Sequence, residues 1–152
     1  MKIHALLLFL HLTAAVVWIG GMFFAHFCLR PAALATLEPA QRLPLWRTVF
    51  ARFFPWVNIA IVLLLISGGA MLVSSGHTSL PPGWHAMIGI GSLMVVIYLV
   101  VRLGPYRAFC QALERNDLPA AATAQNRIRL LVATNLTLGI LVLASVTLGL
   151  AL

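Results

Sequence analysis

Residues 4–28 read HALLLFLHLTAAVVWIGGMFFAHFC. The stretch holds no Asp, Glu, Lys or Arg, and it exceeds the roughly 20 apolar residues a helix needs to cross a bilayer. It also holds His4, His11 and His26. An imidazole is costly to place in lipid, so an ionisable residue at that depth is expected to face a bundle interior and to have a task there. The first property decides the fold class, and the second decides where to look for function.

Working outward, the same composition continues along the chain. Of 152 residues, 62% are hydrophobic and 9% charged, where soluble domains carry about 25% charged residues. Three further apolar runs are long enough to span: about 56–75 after Pro55, about 84–104 between PPGW and Gly104-Pro105, and about 127–151 from NRIRLL. Proline near a helix start and glycine or proline past its end are the expected punctuation. The first run, about 4–28, is expected to end at Arg30-Pro31. It is too long, and too rich in histidine, for a cleaved signal peptide. The expectation is an all-α protein: one four-transmembrane-helix bundle over residues 1–152.

Arginine placement predicts orientation. Arg30, Arg42, Arg47 and Arg52 lie between spans one and two, and Arg102, Arg107, Arg115, Arg127 and Arg129 between spans three and four. The connection between spans two and three has no Lys or Arg. The positive-inside rule then places both arginine-rich segments in the cytoplasm and both termini in the periplasm of a bacterial inner (plasma) membrane. The net charge of +7 is thus a topology signal with some affinity for anionic headgroups. Scattered arginines without a binding fold give no nucleic-acid reading. LPLWRTVFARFFPWV mixes basic and large apolar residues and suits a helix lying in the cytoplasmic interface. Trp46, Trp56 and Trp84 fall at expected boundaries, as an aromatic belt would. Cys28 and Cys110 read as two ordinary thiols rather than a disulfide.

In this topology the histidines sort by depth. His4 and His11, seven apart, share a helical face that Trp18 continues. His11 lies about 10 Å deeper than His4. His77 falls in the outer connection, His85 opens the third span, and His26 stands alone toward the cytoplasm. Two inward imidazoles, His11 and His85, would hold a b-type haem without covalent attachment, since no C-x-x-C-H motif is present. Lys2, His77, Thr78 and Ser79 would then be the propionate partners. Such a protein would pass single electrons, as a redox protein or oxidoreductase between quinone and a periplasmic redox partner. Copper is the alternative, because imidazole and thioether both suit it. Its ligands would come from His4, His11, His85, Met22 and His26, with Cys28 close by. A third reading has no cofactor, only a membrane scaffold locked by polar contacts. Gly-rich faces would permit a homodimer. Three acidic residues leave little machinery for hydrolysis.

The segment FLHLTAAVVWIGGMFFAHFCLRPA resembles the start of the CopD copper-resistance family, with its histidine, W-x-G-G turn and basic-proline exit. The later GWHAMIGIGSLMVVIYLV is similar to the HemJ-type protoporphyrinogen oxidases, a related group of small haem-b membrane proteins. That group carries a lysine two residues after the histidine, where this chain has Met87. NRIRLLVATNLTLGIL looks like the last span of the CopD group, with Arg129 and Asn135 at its polar positions. The resemblance implies a haem or copper ligand role for His11, a haem role for His85 and an association with copper.

Overall fold

The structure, a computed structural model, describes residues 2–75 and 82–148. His77, Thr78 and Ser79 therefore lie outside the described residues. Among those described, all regular structure is helical. α1 (Lys2–Phe24) passes through a wider π-type stretch, Ala25–Leu29, into α2 (Arg30–Thr36). After a short turn come α3 (Pro39–Ser74), α4 (Pro82–Leu103), α5 (Pro105–Glu114) and α6 (Leu118–Thr147). Among the described residues, four stretches are long and apolar enough to span a membrane. Ile3, Phe9, Val16, Ile66 and Val73 are among the large apolar side chains left on the outside. Such a surface suits lipid, where helices satisfy their own backbone groups.

The ends of the helices differ from the sequence expectation, each for a physical reason. Arg30-Pro31 does not stop the first rod. Pro31 has no N–H to offer the Phe27 carbonyl, and the helix widens just before it, with the Arg30 N–H bonding to the Ala25 carbonyl. The second rod begins at Pro39 rather than near Pro55. Glu38 and Gln41 form a reciprocal capping box there. Pro44 and Pro55 sit inside α3; the latter removes one ladder bond, which a long packed helix tolerates. LPLWRTVFARFFPWV is thus no separate interfacial helix. Leu43, Trp46, Phe50, Phe54 and Val57 are buried, on the 3–4 spacing of one helix face. Trp46 belongs to the core rather than to a boundary belt. The fourth rod starts at Leu118, well before residue 127. Asn116, at φ 56°, closes α5 in the left-handed region that Asn tolerates. Asp117 Oδ1 then accepts from the Ala120 N–H at 3.0 Å, which starts α6.

α1 packs on α3 and α4 on α6, each pair antiparallel, while α6 also touches α1 and α3, and α5 folds back on α6. Glycines allow close approaches at several contacts, and a Cβ on Gly21 would run into the Phe53 ring. A Cβ on Gly83 would lie 2.8 Å from the Ser145 carbonyl oxygen, and one on Gly68 would lie 3.2 Å from His11 Cε1. Trp18 on α1 meets Tyr98 on α4 edge-on, ring centroids 6.2 Å apart. The start of α1, the end of α3, the start of α4 and the end of α6 therefore share one end of the bundle. The arginine-rich connections share the other. There Arg102 lies 5.2 Å from the Phe54 ring centroid and 5.6 Å from that of Tyr106. Arg47 pairs with Glu114 at 3.0 Å, an exposed contact worth under about 1 kcal/mol.

Candidate metal centre

The inner face of α1 carries His11, Ala14, Trp18 and Met22, at spacings of three and four that keep them on one stripe. Ala14, Trp18 and Met22 are buried and His11 is half-buried. His11 turns to α3. Its Nδ1 lies 2.9 Å from Ser67 Oγ, and that oxygen lies 2.5 Å from the Leu63 carbonyl. A serine hydroxyl has one proton. Spent on Leu63, it leaves Oγ to accept from His11, so the imidazole carries its proton on Nδ1. Nε2 then keeps its lone pair. A ring nitrogen held by a hydrogen bond while the other stays free is the arrangement that orients a metal-binding imidazole. Ser67 is only 2% exposed, which shields the relay from water. One turn further along the same face of α3 is Met71, also buried.

A second polar group lies deeper. Asn135 on α6 is 3% exposed. Its Nδ2 reaches the Met22 sulfur at 3.9 Å, a weak bond, and its Oδ1 is buried with no partner among the described residues. Both residues line a cavity of about 490 Å³ whose walls include Trp18, Tyr98 and Phe54. Tyr98 in turn donates to Asn58 Oδ1 at 2.6 Å. This is an apolar chamber with one orphaned acceptor, one thioether and few other polar atoms.

The remaining sequence candidates are dispersed. His85 is exposed near the start of α4, and no hydrogen bond joins it to His11. His4 is exposed at the start of α1. His26 sits in the wide turn, edge-on to Phe27, and lines a different cavity at the arginine end with Arg129. Cys28 and Cys110 are free. Among the described residues no three His, Cys, Asp or Glu side chains gather closely enough to hold a metal ion. Ser67, Met71, Asn58 and Tyr98 carry this geometry and are not among the sequence candidates. Their signal is a polar side chain inside an apolar span, which Asn58 and Ser67 both give.

Residues 47–149 match the model of a protein family described as Copper resistance protein D. The matched segment holds Ser67, Met71, His85, Arg129 and Asn135; α1, with His11 and Met22, precedes it. No curated protein and no solved structure matches the chain.

Proposed function

The chain belongs to the CopD copper-resistance family, and from that premise we propose that it binds copper inside the bilayer and takes it up or passes it on. The single observation that carries the reading is the His11–Ser67–Leu63 relay, which leaves one imidazole nitrogen free, with the buried thioether of Met71 one turn beyond Ser67 on α3. Imidazole with thioether favours the cuprous ion over zinc or magnesium. Copper is here the cargo. His11 Nε2 is its first ligand and Met71 the second. Met22 and the free Asn135 Oδ1 offer a further soft-and-polar station along the inner stripe of α1. The end bearing His4 and His11 faces the compartment that supplies the metal, and the arginine end faces the cytoplasm, as the positive-inside rule directs.

The haem reading with electron transfer draws on the same His11 nitrogen. It needs a second axial ligand, and the exposure of His85 leaves that position without support. Copper therefore fits the arrangement better.

The test is anaerobic titration of the detergent-purified chain with cuprous ion against a chromogenic chelator. About one ion per chain is expected, with affinity falling at least tenfold in His11→Ala and in Met71→Leu. Unchanged binding in both variants overturns the ligand assignment. A Soret band in the purified protein that disappears in His11→Ala replaces copper with haem.

A further inference from the structure

The cavity at the arginine end has no part in copper binding as proposed above. It is a half-open hollow of about 520 Å³ between the wide turn, α2, the start of α3 and the start of α6. Three guanidinium groups line it, from Arg30, Arg42 and Arg129. All three are half-buried, whereas Arg47, Arg52, Arg107, Arg115 and Arg127 are exposed. A half-buried cation is costly unless something opposite offsets it. The chain has three acidic residues, and each is engaged elsewhere. Glu38 caps α3, Glu114 pairs with Arg47, and Asp117 caps α6. None of them lines the cavity.

Arg42 is also held in place. Its Nε donates to the Leu37 carbonyl at 2.8 Å and its Nη2 reaches that of Leu34 at 3.5 Å. The rest of its guanidinium stays available to a ligand. Gln125 and Asn126 add neutral polar groups, and Trp46, Leu43 and Val132 supply an apolar wall. A free inorganic anion would use the arginines and leave that wall without a purpose. An amphiphile with an anionic head uses both.

We propose that this cavity is a binding site for an anionic phospholipid of the cytoplasmic leaflet. The phosphate sits among Arg30, Arg42 and Arg129, and part of an acyl chain lies on the Trp46 wall. Arginine suits this task because its planar fork matches phosphate oxygens bidentately. Interfacial cations close to apolar surface are where such headgroups are held.

Native mass spectrometry of the full chain, with phosphatidylglycerol or phosphatidylcholine added to the micelles, tests the site. The expected result is a preference of about tenfold for phosphatidylglycerol. The double variant Arg30→Gln, Arg129→Gln should reduce it to within about twofold, while the equally discharged Arg107→Gln, Arg115→Gln should keep it. Equal binding of the two lipids by the native chain overturns the proposal. So does equal loss in both double variants, which would indicate bulk charge alone. Displacement of the lipid by millimolar inorganic phosphate would make the site one for a soluble anion and also overturns it. Should the first variant fail to fold, thermal unfolding of the native chain decides alone. Phosphatidylglycerol must raise its Tm above that in phosphatidylcholine.

Discussion

Asn135 Nδ2 points at the Met22 sulfur across the α1–α6 contact, 3.9 Å away, and its Oδ1 has no partner among the described residues. A buried amide that satisfies so little of its bonding capacity is retained at a cost of about 1–3 kcal/mol. Asn135→Leu should therefore leave the melting temperature in detergent unchanged or raise it, while lowering copper retention. Asn135→Asp, which buries a charge, should destabilise the bundle by more than about 2 kcal/mol. A large loss of stability in the leucine variant would show that the amide is a structural clasp.

In the proposed copper site Ser67 orients His11 rather than touching the metal. Ser67→Ala removes the acceptor for Nδ1–H, so copper affinity should fall by about 10–100-fold with His11 still in place. Ser67→Thr keeps an oxygen and should recover most of that loss. Cuprous titration of the two variants side by side checks the relay.

The glycines of the spanning helices should separate into two groups under alanine scanning. A Cβ at Gly83 meets the backbone of α6, so Gly83→Ala should cost about 1–3 kcal/mol. Gly20 and Gly89 have open space where a Cβ would lie. Alanine there should be neutral or stabilising by up to about 1 kcal/mol. Thermal unfolding followed by tryptophan fluorescence would rank them.

Tyr98 and Asn58 form the shortest side-chain pair between α3 and α4, at 2.6 Å. Tyr98→Phe strands the Asn58 oxygen and should cost about 1–2 kcal/mol, whereas Tyr98→Phe with Asn58→Leu should cost less than the sum of the single changes. A double-mutant cycle on unfolding free energies measures the coupling.

The four spans are legible because lipid imposes a length of apolar chain that few other structures need. Their ends are less so. Pro44 and Pro55 punctuate soluble helices, but in α3 the packed neighbours hold the chain helical through both. Thr123, Gln125, Asn126 and Arg127 read as connection by polarity, yet they form the first turns of α6, where a cavity and solvent take their side chains. The depth of His11 is legible by counting residues. That it faces inward follows from its cost in lipid; which helix it meets does not, because the azimuth of one helix against another is set by packing, here by Gly68 letting α3 come close. The same applies to His85: the roughly six turns of α4 can be rotated without altering any periodicity in the sequence, and packing leaves this ring outside.

The wide turn at Ala25–Leu29 has a consequence for what the chain can tolerate. A π-type turn holds one residue more than the α-helical turn it replaces. The helix thus takes up that residue locally, and the phase between the stripe ending at Met22 and the guanidinium of Arg30 is kept across it. Deleting one residue from Ala25–Leu29 should relax the stretch to ordinary α-helix with Arg30 still aimed at its cavity, whereas inserting one should swing Arg30 by about 100°. This segment should therefore tolerate a one-residue deletion better than a one-residue insertion.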